Sequence, residues 1–337
     1  GTNIQDGTVV HCDGEVLGVR AECPTIIGQD VLIGHMAMVH GCTIKDKGFI
    51  GLKATIMNNC VVESQGMLAA GALLPEGTRV YIAHIEGTPI EDMVATAKRL
   101  NEAGYPVMPH FPARIIKNRA TLVDCIARYQ GEANVDQALL LAGGVAKPHG
   151  DYESSMQLLE SGAFAGFKNL HVAGHPEGNK DIDPKGGTAM VDDALRWKQK
   201  FSETTDADMA LATQFAFESG PIIEWADSLK AAGITIPIHI GIAGPAKLQT
   251  MIKFAIACGV GPSLKVLQKR AKDVTKLLLP FEPTQVLTDL AAHKEANPDS
   301  NIESVHFFPL GGIKTNANWA IQHGGSSTVP MNPSESA

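Results

Sequence analysis

Residues 26–74 read IIGQDVLIGHMAMVHGCTIKDKGFIGLKATIMNNCVVESQGMLAAGALL. Ile27, Ile33 and Val39 are six apart; after one step of five, Ile44, Ile50, Ile56, Val62, Leu68 and Leu74 are again six apart. A strand repeats every second residue and a helix every 3.6. A period of six, with glycine or a small residue after the apolar one, fits a triangular coil of short strands. Each coil stacks on the next over one apolar ladder. A run of separate sandwich strands does not account for this regularity. Residues 1–77 are therefore expected to form a short left-handed β-helix.

From about residue 78 the pattern changes to apolar strands alternating with amphipathic helices. Candidate strands are Val80–His84, Pro106–His110, Ala138–Ala142, Asn169–Ala173, Ala212–Phe215, Ile236–Ile240 and Val305–Pro309. Segments such as PIEDMVATAKRLNEAG and GPIIEWADSLKAAG read as helices, each ending in a glycine suited to a C-cap. Such alternation implies a parallel sheet covered by helices. No GxGxxG follows an early strand, which disfavours an open doubly wound sheet. The expected class is α/β: a (β/α)8-type (TIM) barrel over residues 78–320, lacking its first strand, with a flexible tail at 321–337. Seven strands leave two unpaired edges, to be closed by another segment or subunit.

The bulk numbers agree with two domains. A chain of 337 residues suits one domain of roughly 250 plus a smaller one. The formal charge of -8 argues against nucleic acid or an anionic membrane as partner. Cysteines are scattered without a CxxC pair, and the first residues carry no targeting segment, so a cytoplasmic location is expected. No apolar run is long enough to span a membrane.

Chemistry-bearing residues fall in both halves. Three imidazoles with an open fourth position make a hydrolytic zinc centre, and His11, His35 and His40 lie within the coil region. A lone histidine on such coils is as often a surface or packing residue. In the barrel half, polar residues gather at strand C-termini, in IAHIEG, MPHFPAR, LLAGG, VAGHPEGN, ATQFAFE, IHIGIAGP and FFPLGG. Barrel active sites lie at those ends, and glycines there let backbone approach a flat cofactor or a phosphate.

NIQDGTVVH (residues 3–11) and DVLIGHMAMVHGCTI (30–44) resemble the γ-class carbonic anhydrases. The resemblance implies that His11, His35 and His40 are zinc ligands. It also implies that Gln5 and Asp6 are the polar pair beside the metal, and that sites are completed between subunits of a homotrimer. The family's coils before the Gln-Asp pair, its glycine-rich and acidic form of residues 51–59 and its terminal helix are not matched. Trimerisation and metal binding are accordingly expected only in part.

MPHFPAR, ALLLAGG, VAGHPEG, ATQFAFE and IPIHIGIAGP, in that order, resemble the barrel of the methylenetetrahydrofolate reductase family. The resemblance implies FAD as cofactor, NADH or NADPH as reductant, and reduction of 5,10-methylenetetrahydrofolate to 5-methyltetrahydrofolate or a related one-carbon folate reaction. By motif His110, Gly143, Gly144, Gly174 and Glu177 (after Pro176) would contact the cofactor. Gln214, Phe215 and Phe217 would contact the folate-like substrate. Ala142-Gly143-Gly144 replaces the family's Arg-Gly-Asp, and the strand-one glutamate has no counterpart, so the catalytic acid is unassigned. Two rivals stand beside this expectation: a folate-dependent methyltransferase or demethylase without hydride transfer, and a carbonic-anhydrase-like trimer or non-catalytic scaffold.

Overall fold

The six-residue ladder forms the core of the first of two units in the computed structural model. The model describes residues 1–12, 24–50, 55–56, 61–62, 67–68, 77–258 and 280–323. The units are Gly1–Pro75 with Gly311–Ala337, and Glu76–Leu310. Leu74, residues 51–54 and 57–59, the junction at 73–76 and the tail from 324 lie outside the described residues.

The first unit contains β1 (Asn3–Ile4), β2 (Val9–His11), β3 (Ile26–Ile27), β4 (Leu32–Ile33), β5 (Met38–His40), β6 (Thr43–Ile44), β7 (Phe49–Ile50), β8 (Thr55–Ile56), β9 (Val61–Val62) and β10 (Met67–Leu68). They pair as three narrow parallel sheets, β1-β4-β7-β10, β2-β5-β8 and β3-β6-β9, which are the faces of a left-handed β-helix. In-register pairing sets Ile33 on Ile50, Val39 on Ile56 and Ile44 on Val62. Ile33, Val39, Ile44 and Ile50 are fully buried, so the ladder is the hydrophobic core. The first coil differs: Ile4 and Val10 pair with Ile33 and Val39, yet remain 47% and 45% exposed. Thr2 and Thr8 donate to the Gly28 and Gly34 carbonyls, holding that coil to its neighbours.

The second unit carries β11 (Val80–Ile82), β12 (Val107–Pro112), β13 (Gln137–Leu141), β14 (Asn169–Gly174), β15 (Asp208–Ala216), β16 (Ile238–Ala243) and β17 (Ile302–Phe308). Between them come α1 (Ile90–Glu102), α2 (Arg119–Ala133), α3 (Ser155–Glu160), α4 (Ala189–Ser202), α5 (Ser219–Ala231), α6 (Leu248–Ala257) and α7 (Thr284–Ala296). A last helix, α8 (Ile313–Gln322), falls in the first unit. All seven strands are parallel and adjacent in chain order, as helical crossovers require. One face of each strand packs under the helices, with Leu140, Val172, Leu211, Ile238 and Ile240 nearly sealed. The other face turns inward, where Met108, Leu139 and Ala212 meet.

Tyr81 on the first strand and His306 on the last have ring centroids 5.1 Å apart. The sheet is thus curled into an incomplete barrel, with β11 and β17 as edges among the described residues. The expected strands are all present. β15 is longer than its apolar run suggests, because a register shift between Ala212 and Phe215 lets it continue as a bulged strand. Gly104 and Gly233 follow α1 and α5 with positive φ, which is why glycine stands there. Asn118 caps α2 by accepting from the Thr121 N–H, and Ser154 with Gln157 forms a capping box on α3.

The ladder makes a quantitative demand. Ile44→Ala should cost about 2–5 kcal/mol, whereas Ile26→Ala, at an exposed position on the adjacent strand, should stay within about 0.5 kcal/mol. Denaturant unfolding followed by far-UV circular dichroism measures both. Equal costs would contradict the assigned core face.

Candidate functional site

In the β-helix, register places His11 beside His40. The two are direct partners on β2 and β5. His11 Nδ1 and His40 Nε2 are 2.9 Å apart, and the rings stack at 4.8 Å. Val10 and Val39 point into the ladder, so their neighbours Val9, Met38, His11 and His40 share the outer face of this sheet. Val9 is 50% exposed and Met38 is 38% exposed, which leaves an apolar strip beside the imidazole pair.

His35 sits elsewhere, exposed in the turn between β4 and β5. Gln5 and Asp6 occupy the corresponding turn one coil away: the Met36 N–H donates to the Asp6 carbonyl at 3.1 Å, and the Gln5 N–H donates to Ile33. Gln5 and Asp6 therefore group with His35 rather than with the His11–His40 pair. No group of three or more histidine, cysteine or carboxylate side chains suited to a metal ion occurs among the described residues. The donor chemistry of the pair still fits zinc. Two nitrogens on a tetrahedral zinc lie roughly 3.3 Å apart, given bonds of about 2.0–2.1 Å. The observed pair would have to open by about 0.4 Å and turn out of its stack, because each lone pair lies in its ring plane.

In the barrel, the C-terminal strand ends carry the other expected residues. His110 is half-buried near the end of β12, and burial, reinforced by His84, pushes its pKa down to about 4. Gly143 follows β13 with φ +94°, and a Cβ there would lie 3.0 Å from the Pro112 Cβ. Gly144 is exposed with open space around it, and Gly174 lies against Trp225. Glu177 is half-buried in the turn after β14. Gln214 is exposed at the β15 bulge, its Oε1 accepting from the Phe215 N–H at 3.2 Å. Phe215 and Phe217 are buried with Phe281 in a small apolar cluster, so they form its wall. Arg114 ties this end together. Its N–H donates to Ala142, its Nη1 to the Val145 carbonyl at 3.2 Å and its Nε to Glu153.

Below that rim lies a polar interior that motif reading missed. The Tyr81 hydroxyl is 2.7 Å from His171 Nδ1, and His239 Nε2 is 2.7 Å from Glu303 Oε2. The His171 and His239 rings meet edge to face at 4.6 Å. Burial raises the Tyr81 phenol to about 12 and lowers the His171 imidazole to about 2. Both groups are therefore neutral, and a single hydrogen bond joins them. His306 is lowered to about 4, by burial first and then by His239. His175 is also lowered to about 4, by burial and then Lys198. Lys198 on α4, 5% exposed, donates to the Ala173 carbonyl at 2.8 Å, and burial lowers its pKa to about 8. Strand parity was the available signal, since Tyr81, His110, His171, His239 and His306 alternate with helix-facing apolar residues.

These histidines make the barrel acid-sensitive. Unfolded, each imidazole has its ordinary pKa near 6.5; folded, the values are depressed. The stability due to holding them neutral is fully present above about pH 6.5. It is lost as pH falls toward the folded values, by about tenfold in the folding constant per pH unit per histidine. The imidazole contribution should be flat above about pH 7, where the remaining slope belongs to Lys198, and unfolding midpoints should fall steeply below about pH 6. His306→Gln should reduce the slope by one proton; an unchanged slope would refute the assignment of neutral interior imidazoles.

Comparison with known proteins bears on the β-helix. Gamma carbonic anhydrase 1, mitochondrial, of Arabidopsis thaliana is 48% identical over 87 residues, which is 26% of this chain and 31% of that protein. Gamma carbonic anhydrase 2, mitochondrial, of the same plant is 44% identical over 92 residues, again 31% of its length. Carnitine operon protein CaiE of Escherichia coli is 32% identical over 114 residues, 31% of this chain and 54% of that protein. The chain thus spans about a third of the length of the Arabidopsis relatives it matches. No family model matches the chain. A fragment resembling γ-carbonic anhydrases and CaiE is here fused to a larger parallel-sheet domain.

Proposed function

We propose that the β-helix unit is a zinc-binding, trimer-forming module of the γ-carbonic anhydrase type. The observation that carries this reading is the separation of the three histidines. His11 and His40 converge at 2.9 Å on one face, while His35 projects from a different corner with Gln5 and Asp6. A pair from one copy and His35 from a neighbour would complete a three-imidazole set, and the exposed Val9 and Met38 beside the pair supply apolar contact for that neighbour. Bound zinc would lower the pKa of a coordinated water to roughly 7, the chemistry that carbon dioxide hydration needs. The chain's part is to fix the imidazoles through strand register and to set Gln5 and Asp6 beside His35 for hydrogen bonding. Assembled protein should hold about one zinc per copy. His35→Ala and His11→Ala should each abolish it without loss of β-structure. A folded trimer that takes up no zinc, or whose zinc survives His35→Ala, would end this reading.

A second reading concerns the barrel, whose fold is one that supports catalysis at strand C-termini. The exposed Gln214 at the bulge, with His110 near the end of β12 and the open-sided Gly144 after β13, supports FAD binding with a one-carbon folate as substrate. Purified protein should bind FAD. Gln214→Ala should weaken folate binding by about tenfold and leave FAD affinity nearly unchanged, as loss of one ligand hydrogen bond implies. Equal losses would indicate collapse of the strand end. NADH oxidation with methylene folate, set against methyl transfer to tetrahydrofolate without nicotinamide, separates a reductase from a methyltransferase.

A further inference from the structure

The first and last strands of the curled sheet, β11 and β17, meet without a backbone ladder among the described residues. Side chains around Tyr81 span this seam instead. Its ring lies 5.1 Å from the His306 ring on β17, and its hydroxyl is 2.7 Å from His171 Nδ1 on β14. His171 meets His239 on β16 edge to face at 4.6 Å, and His239 Nε2 is 2.7 Å from Glu303 Oε2 on β17. The two edges are also less covered than the strands inside the sheet. β16 is buried throughout, whereas Val80 and Tyr81 on β11 and Val305 to Phe308 on β17 are half-buried.

A proton at this seam meets no counter-charge. The groups whose charge acts on His306 are His239 and His110, and those acting on His171 are His239, Arg79 and His306. His84 stands behind His110 on the β12 side, while β13 and β15 present Leu139 and Ala212. The carboxylate of the cluster, Glu303, is engaged with His239. His306 Nδ1 is sealed from solvent and has no hydrogen-bond partner among the described residues. Gln137 Oε1 is sealed and unpartnered too, but it sits on β13, which is paired on both sides and is remote from either edge. A cation held in such a place is relieved by reaching water. For His306 the route is short, since parting the edges breaks ring contacts and no backbone ladder.

We propose that the β11–β17 seam is an acid-opened joint: proton uptake by His306 parts the two edges while β13, β14 and β15 stay paired. The sign follows from linkage. The closed seam holds His306 near 4, below its ordinary value of 6.5, so the open form binds the proton more readily. Opening is therefore independent of pH above about 7 and rises by up to about tenfold per pH unit below about 6.5. It levels off as pH approaches the closed-state value. Neither zinc nor flavin is needed for this motion.

Native-state amide exchange of the full chain, resolved by peptide, tests the joint. Protection is corrected for intrinsic rates and compared at about pH 7.5 and about pH 5.5, with and without dilute urea. Peptides of β11 and β17 should lose protection together by about tenfold at the lower pH. Their opening should be insensitive to urea, as for a local event that exposes little surface. Peptides of β13 to β15 should stay protected. His306→Phe should remove the pH dependence at the seam, and Tyr81→Phe should raise opening by about two- to tenfold at both pH values. Protection of β11 and β17 that ignores pH overturns the proposal. So does protection lost only together with β13 to β15 in a urea-dependent step, or a pH dependence that survives in folded His306→Phe. Should that variant not fold, the first two outcomes on the unmodified chain decide.

Discussion

In-register parallel pairing brings chemically equivalent positions of successive strands side by side, and both units depend on it. In the β-helix it sets Ile33 on Ile50 and Val39 on Ile56, giving a dry ladder from two-residue strands too short to be stable alone. The same register sets His11 on His40, so the imidazole pair is a by-product of the hydrophobic stack. Shifting the register by one residue would move the pair and turn Met38 inward in place of Val39. In the barrel, parity divides every strand between a helix-facing apolar side and an inward side, and the inward side carries the chemistry.

Much of the fold was legible because its signals are periodic. Ile27 to Val62 announce the coils, and the seven apolar runs announce the strands. The bulge in β15 was not legible: it arises where Gly241 backs directly onto the Thr213–Gln214 backbone, a long-range contact that a local pattern does not encode. The site was legible only at its rim. Reading strand ends found His110 and Gln214 and took in His239 within IHIGIAGP without giving it a role, but passed over Tyr81, His171 and His306. Counting alternate residues inward from Met108 or Leu139 reaches that interior. The grouping of Gln5 and Asp6 with His35 required knowing which coil stacks on which turn.

The barrel interior shows a tension between stability and chemistry. An apolar filling of branched side chains is the stable solution for such a core. Here Met108, Leu139 and Ala212 supply part of that filling, while His171, 2% exposed, and His239, 8% exposed, take the place of the rest. Their polar atoms are partly satisfied, by Tyr81 and by Glu303, and partly not, as at His306. Buried polar groups left incomplete are a stability cost that a functional site tolerates.

The pairing of His11 with His40 has a consequence for dynamics. In a linear array each coil is stabilised by the neighbours it touches. His11 belongs to one coil and His40 to the next. Any ion or contact that clamps the two rings together would therefore act as a staple between coils, and ligand occupancy would be read out as slower amide exchange in both.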